Sequence, residues 1–337
     1  MAAALPGAGR TAGTKRSASG ASGTAAVEAR AGDRQAGAGY LKKSHPSVLA
    51  GGVVSRYQFI AKQRTEYPLR RLCAVLKVST SGFYSWLKRS PSRRTQANHR
   101  LSVRIRAIHA ASRQTYGMLR VQAELRAQGQ RVGKHRIARL MRQMGLQAKG
   151  RRRFKTTTRR AETHRRVANR LAGDFTATQP NEKWLSDITY IATHEGWLYL
   201  AGIQDVFSRR IVGWAMSDRP TKTLVCDAWK LAVGRYGAPR LHHSDQGSQY
   251  TSDDYLRLLE NDHVTLSMSD VGRCYDNAMQ ESFWGTLKTE CADRPFPTRA
   301  AARKAIFEYI EVWYNRQRRH SALGYLSPAE FEQLACP

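Results

Sequence analysis

The stretch KWLSDITYIA, residues 183–192, is rich in β-branched and aromatic side chains, yet it sets Asp187 between Ser186 and Ile188 in mid-strand. A carboxylate in a strand otherwise fit for burial is costly unless it is paired or holds a cation. GWLYLAGIQDVF (196–207) and RRIVGWAMS (209–217) repeat the strand composition after short turns, which predicts three consecutive strands in hairpin order. Thr221 is placed to cap a helix running to about Tyr236, after which PRLHHSD (239–245) reads as a fourth strand ending at Asp245. A helix over SDDYLRLLENDH, a fifth strand over VTLSMS and a helix over NAMQESFWGTLKTE (277–290) complete a mixed α+β core. TRAAARKAIFEYIEVWYNRQ follows as a long helix, and SPAE (327–330) offers a capping box with proline at the first helical position.

Upstream, YPLRRLCAVLKVSTSGFYSWLKR spaces Leu69, Leu72, Val75 and Leu76 at helical intervals, turns at KVST and resumes with Phe83, Tyr84, Trp86 and Leu87. This reads as a helix-turn-helix. A polar break at SPSRRTQANHR separates it from a second helical pair, in which Ile137, Leu140, Met141 and Met144 form an apolar stripe. By pattern alone a packed helical hairpin and a DNA-docking motif fit equally. Charge favours the second, because Glu162 is the only acid between Arg131 and Arg170. Arg136, Arg139, Arg142, Lys149, Arg151, Arg152 and Arg153 are the candidate phosphate contacts. The expected organisation is a disordered low-complexity extension (1–55), a helix-turn-helix (56–95), a second helical DNA-binding module (96–150), a basic linker (151–175), the α+β core (176–295) and a helical tail (296–337).

The whole chain of 337 residues carries 56 Lys and Arg against 26 Asp and Glu, a net charge of +30. A polyanion is the natural partner, with binding that weakens steeply as salt rises. No stretch approaches the roughly 20 apolar residues of a membrane span, and the N-terminus lacks the apolar core of a signal peptide. The five scattered cysteines lack metal-module spacing and read as reduced thiols of a cytoplasmic protein.

The candidate acids are Asp187, Asp205, Asp245 and Glu281. On its helix Glu281 shares a face with Asn277 and Lys288, while Met279, Phe283 and Leu287 face the other way. Oxygen ligands without a His/Cys cluster suit Mg²⁺ or Mn²⁺, and a pair of such ions supports in-line phosphoryl transfer. Each acid also has a structural reading: a satisfied buried acid at Asp187, an Asx-turn at Asp245, a surface pair of Glu281 with Lys288. The spacing favours the first reading, with 57 residues between the aspartates and 35 between Asp245 and Glu281.

With those intervals the chain resembles the DDE transposases and retroviral-type integrases, whose catalytic core is ribonuclease H-like. More narrowly it is similar to the second-frame product of the insertion-sequence-three family, through YGMLRV, WLSDITYI, DVFSRRIVGW, HSDQGSQY, DNAMQESFWGTLKTE and YNRQRRHSALGYLSPAEFE. The resemblance covers about residues 57–333. It implies that Asp187, Asp245 and Glu281 are the metal-binding catalytic triad and that Lys288 contacts element-end DNA, with Asn277 either orienting Glu281 or approaching DNA. It further implies Mg²⁺ (or Mn²⁺), two ions, as cofactor, double-stranded DNA as partner, a homo-oligomer on paired ends, and a bacterial, nucleoid-associated setting. The family's full transposase usually gains an upstream helix-turn-helix and leucine zipper by frameshifting, and residues 1–40 show neither. A non-cutting DNA-binding regulator and a structure-selective nuclease on the same core are the alternatives, to be told apart by metal-dependent nicking and joining.

Overall fold

The computed structural model describes residues 52–150, 167–269 and 277–335. Arg151, Arg152, Arg153 and most of the expected basic linker and N-terminal extension lie outside the described residues. Two compact units separate, the first ending at Arg94 and the second beginning at Thr95.

In the first unit, three helices, α1 (Val53–Gln63), α2 (Leu69–Val75) and α3 (Thr80–Lys88), close over Ile60, Leu72, Cys73, Leu76 and Phe83. The boundary expected at residue 55 therefore falls inside α1. Gly52 holds an extended N-cap conformation and the helix starts directly after it, one turn ahead of Tyr57, whose ring meets Phe83 and Trp86. Between α2 and α3 the chain turns at Lys77 (φ 52°), and the Ser79 hydroxyl accepts the Gly82 N–H at 3.0 Å to cap α3.

The second unit opens differently from the reading of SPSRRTQANHR as a break. That polar run lies largely in α4 (Arg93–Ala111), whose first two turns carry no apolar residue larger than Ala97 and which then buries Leu101, Ile105 and Ile108 at spacings of four and three. A helix that is polar all round for two turns has no period for a sequence reading to detect. α5 (Met118–Ala127) and α6 (Lys134–Gln143) follow, and Ile137, Leu140 and Met141 are buried as the stripe predicted.

The sheet is five-stranded and mixed, in the order β3-β2-β1-β4-β5. β1 (Lys183–Thr193), β2 (Gly196–Asp205) and β3 (Ile211–Ser217) form the antiparallel meander, and β4 (Leu241–Ser244) and β5 (Thr265–Met268) add in parallel. α7 (Lys222–Tyr236) carries the chain back from β3 to β4, and α8 (Asp253–Asn261) links β4 to β5. Thr221 does stand at the N-cap of α7, but its hydroxyl bonds to that of Thr223 at 2.6 Å and caps no backbone N–H. On one face of the sheet, Trp184, Ala201, Ile203 and Val212 pack against Leu224, Trp229 and Ala232 of α7 and Tyr255 of α8.

On the other face lie α9 (Ala278–Glu290) and α10 (Arg299–Phe307). The long terminal helix expected from the sequence is α-helical only to Phe307 and continues as a π-helix over Glu308–Tyr314, with Asn315 N–H donating five residues back to Ile310. The wider turn buries Tyr309, Ile310, Trp313 and Tyr314 together. These residues join Ile191, Leu198 and Leu200 of the sheet, Phe283 and Leu287 of α9, and the buried stripe of α4, α5 and α6 in one apolar cluster. The helices of 96–150 and the C-terminal segment thus share a core with the sheet. The capping box at the end forms as read: Glu330 N–H donates to Ser327 Oγ, and Ser327 N–H to Glu330 Oε2 at 2.8 Å, ahead of α11 (Pro328–Ala335). Cys73, Cys226 and Cys291 are free thiols. Among the described residues no helix is long and apolar enough to cross a membrane.

Candidate active site at the strand ends

Asp187 sits in the middle of β1, opposite Gly202 of β2. Its Oδ1 accepts the N–H of Ile188 at 2.8 Å, and its Oδ2 accepts the indole N–H of Trp284 at 3.1 Å. Burial first, then the charge of Asp245 and more weakly that of Glu281, push its carboxyl up to about 7 against those hydrogen bonds. Asp187 therefore feels the charge of both other acids.

Topology explains how. β4 runs parallel to β1 with His243 opposite Leu185, so Asp245, two residues on, comes level with Asp187. Asp245 leaves the sheet in a turn, its Oδ1 accepting the N–H of Gly247 at 2.9 Å. The Asx-turn is real and coexists with the electrostatic coupling. Behind it the imidazoles are structural: His243 spans the hydroxyls of Ser267 and Ser269 at 2.9 and 3.0 Å, and burial, with a smaller push from His243, drives His242 down to about 3. His242 is therefore neutral.

Glu281 arrives on α9 from the other face of the sheet. It is exposed in the first turn, while Met279, Phe283 and Leu287 are buried as the helical face predicted. Two contacts lay α9 along β1. Asn277 donates its amide to the Ser186 carbonyl at 3.2 Å, and Trp284, three residues after Glu281, reaches Asp187. Asn277, for which the resemblance leaves an orienting role and an approach to DNA both open, is buried in this contact. Lys288 continues the line, its Nζ 4.7 Å from the centroid of Tyr190 on β1. Burial lowers its ammonium pKa, and the charge of Asp187 works in the opposite direction.

Asp205, read as structural, is 1 % exposed and accepts N–H groups from Asn181 and Ser208 at the end of β2. The basic candidates divide. Arg139 and Arg142 are exposed on α6, Arg136 donates to Asn98 at 2.9 Å, and Lys149 pairs with Asp293 at 3.2 Å.

Sequence reasoning missed two supports. Trp284 is buried in the apolar cluster, and its spacing from Glu281 also places it on the acid's side of the helix. Gly202 was not singled out; a Cβ there would meet Trp284 Cη2 at 2.7 Å and Gln280 Nε2 at 3.0 Å. The missing side chain lets α9 lie close enough for the indole to reach Asp187. Gly202→Ala is therefore expected to cost about 1–3 kcal/mol by forcing α9 outward. Denaturant melts measure this, and an unchanged midpoint would contradict the close approach.

The donor set suits a hard divalent cation: carboxylate oxygens only, with mutual repulsion that a cation would relieve, as the raised Asp187 carboxyl records. Among the described residues no three His, Cys, Asp or Glu side chains stand close enough together to enclose a metal ion. Asp187 is held within β1 and Asp245 in the turn that follows β4, while the Glu281 side chain is exposed.

Family models for an integrase core domain match residues 177–274 and 262–328, and one for a helix-turn-helix-like domain matches 96–154. The chain is 46% identical over 265 residues to the insertion element IS600 uncharacterized 31 kDa protein of Shigella sonnei, covering 78% of this chain and 97% of that one. It is 43% identical over 282 residues to the transposase InsF for insertion sequence IS3A of Escherichia coli strain K12, covering 82% and 98%. The HTLV-2 integrase catalytic core domain in complex with magnesium superimposes with a TM-score of 0.36 at 16% identity, covering 47% of this chain and 99% of that one. An integrase core carrying the carboxylates, a helix-turn-helix-like domain before it, and sequence shared along nearly the full length of these relatives place the chain in the IS3 family of insertion-sequence transposases, enzymes of the polynucleotidyl transferase class.

Proposed function

We propose that Asp187, Asp245 and Glu281 are the catalytic carboxylates of this transposase and hold two Mg²⁺ (or Mn²⁺) ions while element-end DNA is cut and joined. The observation that carries the reading is the placement of Asp245, just past the end of β4, level with Asp187 on the parallel β1, with α9 laid alongside through Asn277 and Trp284. Such ions activate the attacking oxygen and stabilise the leaving one in an in-line displacement. In the first step water attacks a phosphodiester at the element end and a 3′-hydroxyl departs. In the second that hydroxyl attacks another phosphodiester, whose own 3′-oxygen departs and takes up a proton, so one P–O bond forms as one breaks and no bond to the enzyme forms.

Asp187 supplies oxygens from β1 and Asp245 from the turn after the adjacent parallel β4, and Glu281 closes the set from α9. Trp284 and Asn277 position the helix, one on the Asp187 side chain and the other on the Ser186 carbonyl. Lys288, on the same face as Glu281, offers its ammonium to the phosphates that follow the cut. Arg139, Arg142, Lys149, Arg151, Arg152 and Arg153 contribute phosphate contacts that hold the duplex, and the protein acts as a homo-oligomer on paired ends.

The test uses the full chain with oligonucleotides copied from the inverted repeats that flank its gene. Nicking and joining are expected to vanish with a chelator and return with Mg²⁺ or Mn²⁺, while gel-shift binding persists throughout. Metal-independent cutting would overturn the carboxylate reading, and binding without any cutting would leave a DNA-binding regulator.

A further inference from the structure

We propose that the cavity between the β1–β2 hairpin and the C-terminal half of α9 receives one unstacked nucleotide of the DNA strand being processed. The inference rests on the transposition reading above and adds a base-binding site to it. The cavity measures about 390 Å³ and is lined by Lys149, Tyr190, Trp197, Lys288, Thr289 and Asp293 among others. That is ample for a single base, at the lower end of small-ligand pockets.

Its walls have the chemistry of a nucleotide site. Tyr190 and Trp197 are 47% and 50% exposed, and their rings meet edge to face at 5.0 Å. Across the hairpin Trp197 faces Ala192, and Tyr190 stands two residues along the same strand, so both rings share one side. Two half-exposed aromatic rings, with Trp197 the more open because Lys288 already lies over Tyr190, offer a stacking platform, which every base can use. The cations complete it: Lys288 lies 4.7 Å from the Tyr190 centroid, and Lys149 stands at the rim in an exposed pair with Asp293. An exposed pair of that kind is worth about 1 kcal/mol or less, so a phosphate can displace the carboxylate. A purely apolar ligand would have no use for two amines, and paired bases within a duplex could not present a face to the rings.

The platform is also held rigid. Gly196 turns the hairpin with φ 101°, and Thr193 Oγ1 donates to its carbonyl at 2.6 Å. Arg299 donates its Nε to the Trp197 carbonyl at 3.2 Å and its backbone N–H to Glu195 Oε2 at 2.7 Å. Phe296 and the hairpin exchange backbone hydrogen bonds through Ala192 and His194 at 3.0 and 2.9 Å. The rings therefore need little reordering to accept a base. Tyr190 follows Asp187 by three residues on β1, about 10 Å along the strand with its side chain on the opposite face, and Lys288 of α9, over the Tyr190 ring, joins the cavity to the helix that carries Glu281.

The experiment compares a blunt duplex with the same duplex carrying a short single-stranded thymidine tail, using fluorescence anisotropy on the full chain. The tail is expected to tighten binding by wild-type protein. Trp197→Ala should lose about tenfold of affinity for the tailed duplex, about 1.4 kcal/mol and within the range of one base–aromatic stack. Blunt-duplex affinity should not change, and Trp197→Phe should retain most of the gain. In wild-type protein, 5-bromodeoxyuridine in the tail should photocrosslink to the peptides bearing Tyr190 or Trp197, a readout independent of variant folding. Crosslinks elsewhere, no gain from the tail, or equal losses on both duplexes would overturn the base pocket, while metal-dependent cutting of blunt ends would still uphold the transposition reading. Failure of wild-type protein to bind either duplex would overturn both.

Discussion

Asp187→Asn, Asp245→Asn and Glu281→Gln are each expected to reduce strand cleavage and joining by about 10³-fold or more, with DNA retention intact. A carboxylate ligand of a two-ion site supports charge on both the attacking and leaving oxygens, so its loss costs several kcal/mol of transition-state stabilisation. At 1.36 kcal/mol per factor of ten, about 4 kcal/mol gives the stated loss. Stability supplies an internal control. Asp187 carries a burial penalty and repulsion from two neighbouring acids, so its neutral isostere should melt no lower than wild type. Activity and stability therefore move apart, which simple misfolding cannot produce. Trp284→Phe, which keeps the ring and removes the N–H donated to Asp187, should give a smaller loss than any triad change. Single-turnover assays on end oligonucleotides make these comparisons, and undiminished joining by any one of the triad variants would refute its assignment.

The second large effect lies at the far end of α9. Arg318 lays its guanidinium on Glu290 with Nε and a terminal nitrogen at 2.8–3.1 Å, and the Tyr309 hydroxyl donates to the same carboxylate at 2.9 Å. Both charged side chains are 5% exposed. Burial works against the ionised Glu290, but the hydrogen bond and charge of Arg318 outweigh it and hold the carboxyl below its ordinary range. Glu290→Gln or Arg318→Met leaves one desolvated partner uncompensated and should cost about 3–5 kcal/mol. For a unit of this size that lowers Tm by roughly 10 °C. The double variant should be less destabilised than the sum of the singles, since no buried charge remains. A depressed folded pKa fixes the acid response. The pair's contribution is whole above the unfolded glutamate value near 4.3 and is lost as pH falls through the lower folded value. Thermal melts from pH 7 down to 3 measure the slope, and Glu290→Gln should flatten it. Single variants that melt with wild type would remove this link between α9 and the C-terminal segment.

Much of the architecture was legible because it is written in local period and punctuation. The three hairpin strands announce themselves by composition, and the buried face of α9 by the spacing of Met279, Phe283 and Leu287. SPAE forms its box because both hydrogen bonds are made within four residues. What escaped depends on partners distant in sequence. The polar half of α4 has no pattern of its own, and the π-turn at Glu308–Tyr314 is set by what those aromatics pack against. At the site, acid spacing and resemblance point to the three carboxylates proposed above, and the burial of Met279, Phe283 and Leu287 away from Glu281 follows the helical face read for it. The inward turn of Asn277 and the reach of the Trp284 indole could not be read, since both depend on how closely α9 approaches β1. That approach is set by Gly202, 78 positions before Gln280, whose amide donates to the Gly202 carbonyl. A glycine in a strand does not disclose what it makes room for.

The common apolar cluster under α4–α6, the sheet and the C-terminal segment has a mechanical consequence. Tyr116, whose hydroxyl accepts the N–H of Arg319 at 2.7 Å, and Glu124, on which Arg319 also closes, rivet the helix-turn-helix-like layer to the chain that follows the third carboxylate. On the function proposed above, the layer that would grip an element end and the acids that would sever it are jaws of one caliper. On that function, the offset from gripped base pairs to severed bond would be gauged by this packing and by the Arg319 contacts.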